Sequence, residues 1–159
     1  TTAAATGKVG VVRRDPMAMI PFCGYNMADY FGHWLKLGRR TSKRPHVFCV
    51  NWFRTDANGR FVWPGFRENM RVLKWMVERC QGRAHAAETA IGWVPEYEDL
   101  EWKGLESFSR EKFDFLMAIK HDEWELELAA HDELFGTLRS RLPRELQLRR
   151  EAVHLSLGA

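Results

Sequence analysis

The chain has 159 residues, 45% hydrophobic and 28% charged, enough for one domain that buries about 70% of the surface its unfolded form exposes. No apolar run approaches the ~20 residues that span a bilayer, no signal-peptide pattern opens the chain, and Cys23, Cys49 and Cys80 are widely spaced with no C-x-x-C pair; membrane, disulfide-framework and zinc classes are set aside in favour of buried free thiols in a cytoplasmic protein. The net charge of +3 hides a division: residues 1–83 hold 15 Lys/Arg against 5 Asp/Glu, and residues 84–159 hold 9 against 16, so the first half suits either an anionic ligand or the acidic half docked on it.

In chain order, residues 1–10 are small and rich in Gly, Ala and Thr, and read as a mobile loop. The absence of an initial Met fits a piece cut from something longer. Val9 to Val12 reads as the start of a short strand, and Pro16 and Pro21 keep the chain extended or turning as far as Phe22. Met27, Tyr30, Phe31, Trp34 and Leu35 recur at helical spacing, which predicts a helix capped by Asn26 and ended by Gly38. Arg39 to Pro45 reads as a solvated basic loop, and Val47 to Val50 as a buried strand.

Asp56-Ala57-Asn58-Gly59 between β-formers predicts a hairpin. Asp first and Gly fourth suit a type I turn whose Gly is left-handed and forms a bulge. That turn pairs Asp56 with Arg60, Thr55 with Phe61 and Phe53 with Trp63, and puts Phe53, Phe61 and Trp63 on one face. A two-residue turn would instead separate Phe53 from Phe61. After Pro64-Gly65 a helix is predicted to Cys80, with Phe66, Met70, Leu73, Met76, Val77 and Cys80 as its apolar stripe and Gly82 as its stop. Residues 83–107 read as irregular. Ser109 is placed to cap a helix carrying Phe113, Leu116 and Met117. Trp124, Leu128, His131, Phe135, Leu138 and Leu142 mark another, and the tail reads as weakly anchored helix. The predicted class is mixed α/β: a hairpin and short strands with flanking helices.

Familiar catalytic motifs are absent. There is no G-x-x-x-x-G-K-[ST], H-E-x-x-H, G-x-S-x-G or G-x-G-x-x-G. His121, His131 and the acidic pairs Glu123/Glu127 and Asp132/Glu133 read as solvated helix faces. What stands out is Asn51-Trp52-Phe53 followed by Phe61-Val62-Trp63-Pro64-Gly65-Phe66-Arg67-Glu68-Asn69. Aromatics on a hairpin face, then a helix start carrying Phe66 and an amide, form either a cage for a flat ligand or ordinary core. A base stacked on an aromatic side chain gains ~1–3 kcal/mol with little choice among bases, whereas an amide offers both a donor and an acceptor to a base edge.

The segments Arg14-Asp15-Pro16-Met17-Ala18-Met19, Pro21-Phe22-Cys23-Gly24-Tyr25-Asn26, His33-Trp34-Leu35, Val50-Asn51-Trp52-Phe53-Arg54, Phe61-Val62-Trp63-Pro64-Gly65-Phe66 and Arg71-Val72-Leu73-Lys74-Trp75 resemble, in order and spacing, the C-terminal part of the GTP-dependent phosphoenolpyruvate carboxykinases, the actinobacterial members above all. The similarity is strong over residues 1–80 and fainter beyond.

The resemblance implies a partial C-terminal, nucleotide-binding domain: residues 1–10 as a remnant of a mobile lid, 11–82 as the guanine-binding α/β part and 83–159 as linker and C-terminal helices. The implied activity is that of a lyase that decarboxylates oxaloacetate with GTP to phosphoenolpyruvate, GDP and CO2 in gluconeogenesis, using Mn²⁺ and a second divalent ion on the nucleotide. The implied guanine site is Trp52, Phe53, Phe61, Phe66, Arg67, Glu68 and Asn69, with Asn69 on the base edge. Ala3, Ala4, Ala5 and Lys8 match the lid.

The resemblance puts the phosphate loop, the reactive cysteine, the Lys/His/Asp manganese ligands and the substrate arginines upstream. Catalytic and metal residues are therefore expected to be absent here, and the piece alone to be inactive. Its implied partners are the guanine nucleotide, oxaloacetate or phosphoenolpyruvate, and the rest of its own parent chain. Nucleic acid and membrane are not among them, and the whole is expected to be monomeric. Arg67 stands where the family usually has Gly: either the backbone there is helical and tolerates Arg, or guanine binding is weakened. The alternative function is a stand-alone purine-binding module without catalysis.

Overall fold

The computed structural model describes residues 15–158. Lid residues Ala3, Ala4, Ala5 and Lys8, and the strand predicted at Val9 to Val12, lie outside the described residues. The chain forms two compact units, residues 45–119 and the combination of residues 1–44 with 120–159. The class is mixed α/β, with helices and one antiparallel two-stranded ladder.

In the unit built from both chain ends, helix α1 spans Met27–Arg40. It begins where the sequence predicts: the Asn26 side chain accepts the Ala28 N–H at 2.9 Å, satisfying one of the first-turn donors. It does not stop at Gly38. A helical Gly costs only about 1 kcal/mol, and the end is made instead by Thr41, whose backbone turns extended while its N–H and Oγ1 both donate to the Leu37 carbonyl. Arg39 and Arg40 therefore belong to the helix and not to a loop, and Arg39 pairs with Glu145. Helix α4 spans His121–Leu138 and α5 spans Arg144–Leu157, the latter being the predicted tail helix. Met27, Ala28 and Leu138 are buried together, with Met19, Phe31 and Leu142 around them. Arg141 reaches Asp29 at 2.8 Å, an exposed pair contributing about 0–1 kcal/mol.

In residues 45–119, helix α2 spans Asn69–Cys80 and α3 spans Arg110–Met117, with Ser109 accepting the Lys112 N–H as the predicted cap. The core is aromatic: Trp63, Trp75, Ala86, Leu100, Phe108 and Phe113 are buried together. Trp102 is sandwiched between Tyr97 at 4.9 Å and Phe108 at 5.1 Å, both nearly parallel to it. Phe113 meets Tyr97 edge-on at 5.6 Å. Such arrangements contribute about 0.5–1.5 kcal/mol per pair beyond their buried area. The polar ends are also placed: Trp102 Nε1 donates to the Tyr97 carbonyl, the Tyr97 hydroxyl to that of Phe108, and Trp75 Nε1 to that of His85.

Ala86 and Leu100 of that core, with Tyr97 and Trp102 packed against it, come from the stretch predicted to be irregular. Strands β1 (Ala87–Thr89) and β2 (Gly92–Val94) form an antiparallel hairpin, and Tyr97–Asp99 forms a 3-10 turn. Three-residue strands hold too few positions to display a period.

Three other expectations fail. Val47 to Val50 forms no strand; only Phe48 packs, against Trp75, while Val47 is 86% exposed. A ladder needs a partner, and none of the described residues supplies one. The stripe predicted for α2 is largely exposed at Met70, Leu73, Val77 and Cys80, because the helix turns Val72, Trp75 and Met76 to the core. Cys49 and Cys80 are exposed and not buried, and Cys23 is half-buried.

Candidate nucleotide site

The hairpin predicted from Asp56 to Gly59 forms with the bulged turn. The Asp56 N–H donates to the Arg60 carbonyl, the Gly59 N–H to the Asp56 carbonyl, and the Val62 N–H to the Arg54 carbonyl, all within 3.0 Å. Thr55 bridges Phe61, and Gly59 has the required left-handed backbone at φ 75°. The Asp56 carboxylate organises the turn by accepting the Asn58 and Arg60 backbone N–H groups and the Arg60 guanidinium. Those bonds, that of the Arg60 backbone first, hold its pKa below its ordinary value of 3.8.

The turn brings Phe53 and Phe61 together, with ring centroids 5.7 Å apart in edge-on contact. They are 69% and 64% exposed, so this pair lies on the surface and not in the core. Trp63 does not share their face. The chain turns at residues 52–53 and bends at 62–63, ending the ladder, and Trp63 is buried against Trp52 at 5.8 Å and Phe108 at 5.6 Å. Trp52 packs against the core with it. The five aromatics from position 52 to 66 thus divide into an inner tryptophan pair and outer phenylalanines, a sorting that the alternation of strand residues did not predict.

Beyond the hairpin, Gly65 adopts φ 115° and ψ −171°, a region open essentially to Gly alone. The chain then enters a 3-10 turn at Phe66–Glu68 that continues into α2. Phe66 is 91% exposed and makes no ring contact among the described residues. Arg67 lies within this helical turn, is exposed and has no positive φ. The backbone therefore accepts Arg there, and the glycine that conformation demands is Gly65. Glu68 turns to Arg71 at 2.6 Å, and Arg71 also donates to the carbonyls of Glu101 and Lys103. Asn69 follows with its side-chain oxygen 2.7 Å from Trp63 Nε1, a link the spacing of residues did not reveal.

A family model described as phosphoenolpyruvate carboxykinase C-terminal P-loop domain matches residues 1–155. The chain belongs to the GTP-dependent phosphoenolpyruvate carboxykinase family. It is 51% identical over 151 residues to the GTP-type phosphoenolpyruvate carboxykinase of Anaeromyxobacter dehalogenans (strain 2CP-1 / ATCC BAA-258), covering 95% of this chain and 25% of that protein. The proteins of the same name from Paenarthrobacter aurescens (strain TC1) and Treponema pallidum (strain Nichols) are 46% and 45% identical, covering 99% and 92% of this chain. The chain spans about a quarter of the length of these relatives.

Two further features of this carboxykinase domain bear on chemistry. Among the described residues no helix is long and apolar enough to cross a membrane. Among the described residues, the one grouping of three His, Cys or carboxylate side chains with converging donors is His85, Glu96 and Asp99, with His85 Nδ1 3.4 Å from Glu96 and 3.7 Å from Asp99. It contains no lysine, and Asp99 Oδ2 already accepts the Glu96 backbone N–H. It does not fit the Lys/His/Asp set that the family resemblance assigns to manganese.

Proposed function

We propose that this chain is the guanine-holding portion of an enzyme that converts oxaloacetate and GTP to phosphoenolpyruvate, GDP and CO2 in gluconeogenesis. The observation that carries the reading is the exposed Phe53–Phe61 pair on the bulged turn. An apolar pair that the fold itself leaves uncovered is suited to receive a flat ligand. Phe66 and Asn69, delivered by the Gly65 bend, supply a third ring and the polar group that reads the base. Trp52 is assigned to the same site and packs against Trp63. Arg67 and Glu68 belong to the same segment, Glu68 pairing with Arg71, which also holds the Glu101 and Lys103 carbonyls, and Arg67 facing solvent.

Manganese, the phosphate loop and the substrate arginines belong to the remainder of the parent chain, so this portion by itself turns nothing over. Ala3, Ala4, Ala5 and Lys8 are assigned to a lid on the same ground. The parent is a cytoplasmic monomer whose partners are the guanine nucleotide and oxaloacetate or phosphoenolpyruvate, not nucleic acid or a membrane.

The test is Phe61→Ala in the full-length protein, with GTP affinity and manganese affinity measured side by side. Loss of one stacked ring weakens GTP by about 1–3 kcal/mol and leaves the metal untouched. An unchanged GTP affinity ends the cage assignment.

A further inference from the structure

Amide side chains have two ends of opposite hydrogen-bonding sense, and which end faces a ligand decides what that ligand must offer. In this protein the choice is made by Trp63. An indole N–H donates and never accepts, so its 2.7 Å partner on Asn69 is necessarily the carbonyl oxygen, Oδ1. Turning the amide over would set an NH2 group against an N–H, two donors with nothing between them. The indole cannot move aside to allow it: Trp63 is 6% exposed and wedged between Trp52 and Phe108. The backbone N–H of Asn69 is likewise committed, donating to the Phe66 carbonyl. The side-chain Nδ2 has no partner among the described residues and is not among the buried unsatisfied atoms. The group left over is an NH2 donor of fixed orientation on a half-buried residue.

We propose that Trp63 is a positioning residue for base selection, holding Oδ1 of Asn69 so that the amide NH2 is the end offered to the nucleotide. The inference rests on the guanine-site reading above and names what in that site tells one purine from another. Guanine carries an acceptor, O6, where adenine carries a donor, the 6-amino group. A fixed NH2 donor pairs with the first and opposes the second. The phenylalanines cannot make this distinction, because stacking is nearly blind to base identity. A site built around one polar partner rejects the analogue lacking it far more strongly than an apolar pocket does.

The experiment compares GTP, ITP and ATP as substrates of the full-length enzyme, reading kcat/KM for each. Trp63→Phe removes the N–H and keeps a ring in the core. The expected result is a loss of about tenfold or more in the GTP-to-ATP ratio, with ITP, which shares O6 with GTP but lacks the 2-amino group, falling in step with GTP. Adding Trp63→Phe to Asn69→Ala then changes the ratio no further. A purely structural role for Trp63 would lower all three nucleotides in parallel, and that outcome overturns the proposal. Asn69→Asp provides a second route should Trp63→Phe fail to fold. One carboxylate oxygen still accepts from Trp63 while the other replaces the NH2, so the preference shifts from GTP towards ATP. Retained GTP preference in Asn69→Asp overturns the proposal equally. If Asn69→Ala lowers GTP selectively while Trp63→Phe leaves the ratio unchanged, only the positioning role falls. If Asn69→Ala and Phe61→Ala both leave GTP untouched, the guanine site itself is misplaced and this inference falls with it.

Discussion

Two aromatic groups within residues 45–119 both contain phenylalanine and are treated oppositely by the fold. Trp63, Trp102, Phe108 and Phe113 interlock, and the two indole N–H groups among them each find an acceptor. Phe53, Phe61 and Phe66 stand 64–91% exposed within a few residues of that core. Burying a phenylalanine gains about 1.5–3 kcal/mol, and this segment leaves three such gains unrealised. Aromatic density alone does not separate a core from a binding surface. What separates them is whether the backbone gives the ring neighbours, and here the turn at 52–53 and the bend at 62–63 make that division.

The comparison can be broken most decisively from the core side. Phe108→Ala removes a ring that touches both Trp63 and Trp102 and is expected to cost about 3–5 kcal/mol of stability, read from urea unfolding. A loss under about 1 kcal/mol would mean that the cluster is loosely packed. Gly65→Ala comes next. A Cβ there meets nothing within 4 Å, so any cost is backbone strain, about 1–3 kcal/mol, seen in the unfolding midpoint. Phe61→Ala sharpens the contrast: its stability should change by no more than about 0.5 kcal/mol, while GTP affinity in the full-length protein drops as stated above.

A smaller effect concerns the turn that presents the rings. The folded pKa of Asp56 is lowered from 3.8, chiefly by the Arg60 N–H. A lowered carboxylate pKa gives stability that is fully present above the unfolded value and is lost as pH falls through the folded one. Asp56→Asn should therefore flatten the stability profile below about pH 4 and lower stability slightly near neutrality, where the carboxylate's contribution is fully present. The smallest expected change is that of Arg67→Gly. Since the backbone there is already helical, GTP affinity should shift by less than about threefold; a larger gain would show that Arg67 obstructs the base.

The legibility of the fold follows from how local each signal is. The Asn26 and Ser109 caps and the Asp56–Gly59 turn were readable because each depends on a side chain reaching its own backbone within three or four residues. The end of α1 was misread at Gly38, since Gly is only mildly unfavourable in a helix and Thr41 supplied the stop. The exposed stripe of α2 and the unpaired Val47 to Val50 were misread because apolar spacing reports that a face wants cover without saying what covers it. In a chain spanning a quarter of its relatives' length, that cover need not come from its own residues. Of the candidate site, Phe53 and Phe61 were placed correctly together, Trp63 was put on the wrong side of the hairpin, and its bond to Asn69 went unseen.

By itself the sequence determined the family, through many matching segments in one order, and the turn chemistry that pairs Phe53 with Phe61. Only the tertiary structure decided which aromatics are core and which end of Asn69 is free. The physical reason is that a hydrogen bond's direction and a ring's exposure belong to pairs of groups in space, and neither Trp63 nor Asn69 carries that information alone.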